Sequence, residues 1–411
     1  MYLRQCLDSV IAQTLKDIEI ICVDDGSTDE CPQILKEYEA KDSRIRLLWQ
    51  ENQYAGTARN YGMTVATGKY FAFWDSDDFF HPKALELMYK QCEKDNADMC
   101  ICSANHYFDD IQKAFPNSGY LRKKYIPSKR PFSSEDIPDH ILNFATAHPW
   151  NKLFRKSFIE ELGLSFHSTP NGNDIFFVIN CLARANRITI VNKPLVYYRV
   201  NQPRSQFGAV NKTPLTPIHN WLLTRECLIQ HNAYPKQSFD NKILGTLLYF
   251  LHNMRGWEAF RTTFLYIKEE VLPQMEISLQ PEGYYYNEAN VQYLEHLLTD
   301  TPEDFLVFFS HATYKQFNEK SGRYQILSQK CKKQTAALRA KQAQLDALQM
   351  ELSSIKDSRS YRFACALTTI PPCSAKRMGI FFSIRSYKSL PHCNSYNRKF
   401  SHNRYCPLPA L

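Results

Sequence analysis

The amino-acid sequence predicts an α/β fold, with a mostly parallel sheet flanked by helices, followed by a helical region and a coiled coil. Three observations support this prediction. Short apolar segments alternate with segments of helical periodicity over about the first hundred residues, which is the pattern of right-handed βαβ units. A predominantly helical pattern then covers residues 215–320. After it, apolar residues recur at heptad spacing.

The elements of the α/β region follow from local patterns. The first helix is predicted from apolar residues on one helical face: Leu3, Leu7, Val10 and Ile11. The continuous apolar segment 19–23 predicts a strand buried on both faces of a parallel sheet. Ser27 and Glu30 have the spacing of a capping box, and Pro32 suits the first turn of the next helix. Further strands are predicted at 45–49, 70–74, 97–103 and 189–200, and further helices at 57–67 and from 82 to about 95.

The heptad pattern predicts a coiled coil over residues 323–357. One core position is held by Tyr324, Cys331, Leu338, Leu345 and Leu352, and the other by Leu327, Leu348 and Ile355. Gln334 and Lys341 interrupt the second series. We expect this seam to join copies of the chain as a homo-oligomer. The alternative is a helix that packs back on its own domain.

The positive charge of the chain is concentrated at its C-terminal end. The formal net charge is +8, and residues 358–411 contain nine Lys/Arg and no Asp or Glu, so the remainder sums to −1 (8 minus 9). A basic tail on a neutral body is attracted to anionic surfaces, and we expect peripheral membrane contact rather than a nucleic-acid partner. The alternative is an unstructured, solvated end.

Other bulk features predict the compartment. The 13 cysteines show no CxxC pair and no metal-site spacing. Without a secretory signal, we expect them to be reduced thiols in a cytoplasmic protein, at the inner face of the plasma membrane. Apolar stretches such as 246–251 and 305–309 are too short to span a bilayer.

Three polar clusters follow predicted strands or open a helix, at the sheet edge where open α/β sheets bind ligands. Asp24 and Asp25 come directly after the strand at 19–23 and can accept hydrogen bonds from a base and a ribose. The alternative is an ordinary Asp-Gly turn. Asp75, Asp77 and Asp78 place three carboxylates within four residues, which repel one another unless a cation offsets their charge.

Oxygen ligands of this kind suit Mn²⁺ or Mg²⁺, whose coordination shell is completed by water and substrate phosphates. A solvated acidic turn is the alternative. The third cluster is GTARN at 56–60, where Arg59 beside a helix N-terminus forms an anion site. Taken alone, an Arg in this position is more often a surface residue than a phosphate ligand. Together the three clusters predict a crevice for a nucleotide diphosphate.

The order of these segments resembles the bacterial family-two glycosyltransferases with a GT-A fold. The resemblance covers residues 2–204 and is carried by YLRQCLDSVIAQT, IEIICVDDGSTDE, ENQYAGTARNYGMTVATGKYFAFWDSDD and HPWNKLFRKSFI. It implies that Asp24 and Asp25 lie near the uracil of a UDP-sugar and that Asp77 holds the divalent metal. It also implies that Asp75 contacts the ribose or the metal shell, and that Arg59 lies near the diphosphate.

The resemblance also implies a catalytic base in the second half of the domain. The family has a Glu-Asp pair where this chain has NGNDIFF at 171–177, so Asp174 is the candidate and Asn173 replaces the Glu. This replacement removes a negative charge, which predicts either a lower pKa of Asp174 or altered acceptor contacts. A carboxylate here takes the proton of the attacking acceptor hydroxyl, with inversion at the anomeric carbon. The alternative is that Asp174 is the N-cap of an apolar helix.

Two further segments fit the same pattern, and one departs from it. Residues 150–153 resemble the W-N-K stretch that precedes the acceptor region, and Arg199 ends a segment that the family places near the diphosphate, with a strand-end Arg as the alternative. Family members open with a strand ahead of the first helix, whereas this chain begins within that helix. We therefore expect an N-terminally truncated domain whose neighbouring strands lack a pairing partner.

The resemblance, the helical and heptad periodicity and the charge distribution together predict a division into four regions. A glycosyltransferase domain spans 1–205, with a nucleotide-sugar half (1–107) and an acceptor half (108–205), followed by a helical region (206–322), the coiled coil (323–357) and the basic tail (358–411). The function hypothesis is transfer from a nucleotide-sugar to a cell-surface glycan or lipid-linked acceptor. Two alternatives stay open: a nucleotidyltransferase on a related sheet, and an inactive scaffold that assembles partners through the coiled coil.

Overall fold

The computed structural model describes residues 2–200, 213–254 and 256–357. The predicted basic tail, 358–411, lies outside the described residues. Eight strands are formed in this part of the chain: β1 (Ile20–Asp25), β2 (Ile45–Gln50), β3 (Tyr70–Phe71), β4 (Phe79–Phe80), β5 (Met99–Phe108), β6 (Lys113–Asn117), β7 (Lys152–Arg155) and β8 (Ile188–Arg199).

Helices flank these strands and then dominate the chain. The first six are α1 (Tyr2–Ile11), α2 (Cys31–Lys41), α3 (Tyr54–Val65), α4 (Ala84–Asp95), α5 (Lys156–Leu162) and α6 (Asn173–Arg184). The later ones are α7 (Thr216–Gln230), α8 (Lys236–Asn253), α9 (Trp257–Tyr266), α10 (Glu288–Thr299) and α11 (Pro302–Asp357). The α/β class and the helical region that follows it are therefore confirmed.

The strands form two separate sheets within the described residues. β1 and β2 pair in parallel as one sheet, and the second sheet has the order β3-β7-β5-β8-β4, with β6 also paired to β5. β5 and β8 run parallel, while the four pairings β3–β7, β4–β8, β5–β6 and β5–β7 are antiparallel. The sheet is therefore mixed rather than mostly parallel. The short connection from β5 to β6 reverses the chain, and the mixed sequence pattern after residue 108 does not reveal such reversals.

Several predicted elements differ in detail from the observed ones. Regular strand structure at 70–74 ends at Phe71, because antiparallel pairing with β7 extends only over Tyr70 and Phe71. The predicted capping box at Ser27 is wrong. Asp29 accepts the backbone hydrogen bond of Cys31 at the start of α2 (2.9 Å), since it lies nearer the helix, while the Ser27 backbone donates to Asp24.

Helix α1 is held to the edge of the sheet by both apolar and polar contacts. Cys6, Leu7 and Val10 are buried on one face, as the periodicity predicts. Just past the helix, the fully buried side chain of Gln13 donates to the carbonyl oxygen of His81 (2.9 Å) and accepts from the backbone of Leu85 (3.1 Å). This network places α1 beside the turn between β3 and β4, which carries the acidic cluster.

Residues up to Phe308 form one compact unit, and a second unit begins at Phe309. The second unit continues α11, a single helix that ends at Asp357. Among the residues predicted to form the core of the coiled coil, Leu345, Leu348 and Leu352 have described side chains, and these are 50%, 62% and 55% exposed. The helix is observed, and the coiled coil stays a prediction. None of the helices described here is long and apolar enough to cross a membrane.

Candidate active site

The acidic turn between β3 and β4 brings three carboxylates together. One oxygen of each of Asp75, Asp77 and Asp78 lies within 4.8 Å of the others. Asp77 is exposed, Asp75 is half-buried and Asp78 is fully buried. The Asp78 backbone donates to the Asp75 carbonyl oxygen (3.2 Å), and the Cys6 thiol donates to the same oxygen (3.6 Å), which fixes the turn against α1.

Asp78 also connects this turn to the end of β8. Its Oδ1 accepts a hydrogen bond from the backbone of Arg199 (2.8 Å), whereas its Oδ2 is buried and has no hydrogen-bond partner among the described residues. Burial and the charges of Asp77 and Asp75 raise the pKa of Asp78 to about 9. A divalent cation supplies the positive charge that this cluster lacks, and three carboxylates suit Mn²⁺ or Mg²⁺. The residues therefore fit the metal that the sequence predicts.

Arg59 on α3 links the acidic turn to the second half of the domain. Its Nη2 donates to Oδ1 of Asp75 (2.8 Å) and its Nη1 donates to Oδ1 of Asn173 (2.8 Å). The guanidinium also lies over the ring of Phe166, with 5.2 Å to the ring centroid. Asn173 stands where the family has a Glu. It accepts a hydrogen bond from the guanidinium of Arg59, which also pairs with Asp75.

The start of α3 packs tightly on the segment that precedes α6. A Cβ added to Gly56 would lie 2.0 Å from the carbonyl oxygen of His167, so only glycine fits there. Asn60 exchanges two hydrogen bonds of 2.8 Å with the backbone of Phe166. The GTARN motif therefore docks α3 against the second half of the domain and aims Arg59 between Asp75 and Asn173.

Asp174 lies in the first turn of α6, directly after Asn173. The N-cap position of α6 is held by Gly172, in the left-handed conformation (φ 64°), so Asp174 is not the cap. Burial raises the pKa of Asp174 to about 6, against the opposing charge of Arg59. The replacement of the family's Glu by Asn173 is one reason to expect a lower pKa of Asp174. The pKa is raised instead, because burial has the largest effect. A half-buried carboxylate with this pKa suits a general base near neutral pH.

Asp24 and Asp25 lie at the end of β1 and stabilise the turns around them. Asp24 is buried, and its Oδ1 accepts from the backbone of Ser27 (2.9 Å). Oδ1 of Asp25 accepts from the Gln50 side chain (2.6 Å) and from the Gln53 backbone (2.8 Å). Both therefore have structural contacts, and their predicted role at the nucleotide base stays a prediction.

Arg199 contacts the acidic turn through its backbone, while its side chain binds elsewhere. The guanidinium donates to Asp109 and to Gln5, and it lies over the ring of Tyr2 at 4.5 Å from the centroid. The side chain is 2% exposed in this ion pair. The structure thus shows a buried strand-end arginine, and its predicted contact with the diphosphate stays a prediction.

The W-N-K stretch is buried beside Asp174. The ammonium group of Lys152 donates to the carbonyl oxygens of Thr146 (2.8 Å) and His148 (2.7 Å), and the Asn151 side chain donates to Cys102 (2.8 Å). Trp150 stacks on Tyr198 with ring centroids 5.4 Å apart. Burial lowers the pKa of Lys152 to about 7, while the negative charge of Asp174 raises it.

Sequence reasoning missed two groups that shape this site. Asp109 holds the Arg199 side chain, and Lys242 of α8 donates to the carbonyl oxygen of Ala145 (3.1 Å), next to the Lys152 contacts. Local sequence patterns do not predict either contact, since each joins positions that are about ninety or more residues apart along the chain.

Comparisons with known proteins find a matching family and several relatives. Residues 1–163 match the family described as Glycosyl transferase family 2. Glycosyltransferase GlyG of Streptococcus pneumoniae serotype 4 is 41% identical over 211 residues, which is 48% of this chain and 66% of GlyG. Glycosyltransferase GlyA of the same organism is 33% identical over 206 residues, which is 49% of this chain and 29% of GlyA.

A solved structure of residues 1–349 of S. aureus TarS in complex with UDP-GlcNAc aligns with a TM-score of 0.44 at 17% identity, covering 72% of this chain and 87% of that one. The chain spans about half the length of the curated relatives that it matches.

Proposed function

Because residues 1–163 of this chain belong to glycosyl transferase family 2, we propose that the chain is an inverting glycosyltransferase. It moves a sugar from a nucleotide-sugar, a UDP-sugar, to a hydroxyl of a cell-surface glycan or lipid-linked acceptor. The observation that carries the proposal is the double contact of Arg59, which joins Asp75 of the acidic turn to Asn173, the neighbour of Asp174.

The donor half of the proposed site is the acidic turn. Asp77 and Asp75 would hold Mn²⁺ or Mg²⁺, and the carboxylate of Asp78 lies within 4.8 Å of theirs. When bound, the cation offsets the negative charge that develops on the departing diphosphate. Asp24, Asp25, Arg59 and Arg199 remain the proposed contacts to the nucleotide. Trp49 of β2 pairs in register with Asp24 of β1, so both side chains lie on the same face of this sheet. Because Trp49 is 62% exposed, its ring is available to contact the nucleotide base.

Asp174 is the proposed base in the acceptor half. The acceptor oxygen attacks the anomeric carbon as the bond from that carbon to the diphosphate oxygen breaks, and the bonding electron pair leaves with the diphosphate. The carboxylate of Asp174 takes the proton from the acceptor oxygen, which is a contribution of roughly 10²–10⁴-fold. A single displacement of this kind inverts the configuration and forms no covalent intermediate.

The proposed location is the cytoplasmic side of the plasma membrane. It is supported by the nine Lys/Arg residues and the lack of acidic residues in 358–411, since a basic segment is attracted to anionic lipid.

A panel of UDP-sugars and other nucleotide-sugars tests the proposed activity. We expect the purified chain to release the nucleoside diphosphate from one of them in Mn²⁺ or Mg²⁺, and EDTA or Asp77→Asn to abolish the release. Asp110→Asn, at an exposed aspartate outside the site, is the control and should behave like the parent. Release of pyrophosphate from UTP would instead favour a nucleotidyltransferase. Equal activity of Asp77→Asn and the parent would contradict the proposed metal site.

A further inference from the structure

Two lysines from distant parts of the chain converge on the segment 145–148. Lys242 of α8 donates to the carbonyl oxygen of Ala145 (3.1 Å). Lys152 of β7 donates to the carbonyl oxygens of Thr146 (2.8 Å) and His148 (2.7 Å). The contacts of Lys152 support this segment from one side, and Lys242 approaches it from a helix outside the region that matches the family.

Polar atoms of the same segment have no partner. Oγ1 of Thr146 and Nδ1 of His148 are buried and make no hydrogen bond in the described part of the chain. The carbonyl of Ala145 accounts for one of the three N–H donors of Lys242. Buried polar groups in folded proteins normally have hydrogen-bond partners, so a water molecule or a ligand is needed to satisfy these atoms.

The two lysines lack a counterion in the described part of the chain. No ion pair to Lys152 or Lys242 is formed by the residues that the structure describes. Burial lowers the pKa of Lys242 to about 7, and the charges of Arg122 and Lys152 lower it further. An anion beside Lys242 would stabilise its ammonium form, which burial and the neighbouring cations disfavour.

The segment 145–148 lies close to the proposed site. The ring centroids of His148 and Tyr198 are 6.5 Å apart, and Tyr198 directly precedes Arg199, whose backbone donates to Asp78 of the acidic turn. Lys152, which donates to the carbonyl oxygen of His148, and Asp174 also each shift the pKa of the other. An acceptor bound at this site would therefore lie beside the segment 145–148.

We propose that Lys242 and Thr146, with His148, bind an anionic group of the acceptor, either a phosphate or a carboxylate. An ammonium and a hydroxyl together supply the charge and the donors that such a group requires. The inference rests on the proposed function, because that function places the acceptor beside Asp174. It adds that the acceptor is an anionic glycan or an anionic lipid-linked sugar.

Matched probe pairs test the inference on the full chain by calorimetry, with and without UDP and Mn²⁺. The carboxylate arm compares methyl β-glucuronide with methyl β-glucoside, and the phosphate arm compares glucose 6-phosphate with glucose. In one arm we expect the anionic probe to bind at least about tenfold more tightly than its neutral partner. The arm that shows the preference identifies the anionic group.

Three variants assign the preference to this cluster. Lys242→Met should abolish it, Lys242→Arg should retain it, and Thr146→Ala, which removes only the hydroxyl contact and a methyl group, should weaken it. Lys90→Met, at a surface lysine that is 69% exposed, is the matched control and should leave it unchanged. Affinity for UDP with Mn²⁺ should be the same in all of them.

Equal binding of both members in both pairs would overturn the inference, as would a preference that survives in both Lys242→Met and Thr146→Ala. Failure of the parent to bind UDP with Mn²⁺ would contradict the proposed function instead. The comparison of probes without UDP still reads out the anion preference in that case, so the two failures are distinguishable.

Discussion

Arg59 and Asp75 form an ion pair, with 2.8 Å between Nη2 and Oδ1, and the other nitrogen of the same guanidinium binds Asn173. Arg59 is contributed by α3, Asp75 by the acidic turn and Asn173 by α6. A rigid, planar guanidinium with several donors can hold two acceptors at once. The proposed donor half and acceptor half are therefore joined through one side chain, and a change there affects both.

Asp174→Asn should reduce kcat by roughly 10²–10⁴-fold, because the amide cannot accept the proton of the acceptor hydroxyl. Binding of UDP and Mn²⁺ should stay at the parent level. In the parent, a base must be ionised to act, so kcat should rise with pH through the pKa of Asp174 at about 6 rather than near the ordinary 3.8. A pH–rate profile checks this, and an acid limb near 4 would contradict the assignment.

Arg59→Gln should move the acid limb of that profile to higher pH. The positive charge of Arg59 lowers the pKa of Asp174, and its removal leaves burial and the charge of Asp75 to raise it. Arg4→Gln serves as the control. It removes an exposed ion pair between Arg4 of α1 and Glu37 of α2, and we expect no displacement of the acid limb. An unmoved limb in Arg59→Gln would show that the two charges are not coupled.

Gly56→Ala should lower the free energy of unfolding by about 1–3 kcal/mol, because its Cβ meets the His167 carbonyl oxygen at 2.0 Å and the backbone must shift. Gly62→Ala on the same helix is the matched control, since its nearest neighbour would lie 3.6 Å away. That change should be neutral or stabilise the chain by up to about 1 kcal/mol. Urea unfolding of both variants checks the difference, and equal stabilities would refute the proposed close packing of α3.

Leu348→Asp should dissociate a homo-oligomer if the heptad seam of α11 forms a coiled coil. The side chains of Leu345, Leu348 and Leu352 are exposed in the single chain, and burying a charge in such a seam is costly. Sedimentation velocity should show the parent as an oligomer and the variant as a monomer. Glu351→Lys, at an exposed position off the predicted core, is the control. A monomeric parent would refute the coiled coil.

Local patterns predicted most of the α/β fold and the acidic half of the site. Helix α1, strands β1 and β2 and the acidic turn follow from periodicity and from carboxylates at strand ends, so they depend on neighbours in sequence. Asp174 is a candidate base only through the resemblance of the NGNDIFF segment to the family's Glu-Asp pair, and its role stays a prediction. The pairing order of the second sheet was not predictable in this way, because two partners of β5, the antiparallel β7 and the parallel β8, come from distant segments.

The side-chain contacts of the site were predicted less well. Arg59 was expected at a diphosphate, and the structure adds Asn173 and Asp75 as its partners. Arg199 carries no local signal of its ion pair with Asp109. Lys242 lies 97 residues from Ala145 in sequence, in a helix whose pattern predicts only packing. Contacts of this range depend on how the elements assemble, which propensity and spacing do not specify.

Calorimetric titration of UDP in the presence of Mn²⁺ tests the central claim most directly. We expect UDP to bind the parent with Mn²⁺, and EDTA or Asp77→Asn to weaken that binding by at least about tenfold, because in the proposed site Asp75 and Asp77 would hold a cation that offsets the charge of the diphosphate. UDP binding that is as tight in EDTA as in Mn²⁺, or as tight in Asp77→Asn as in the parent, would contradict it.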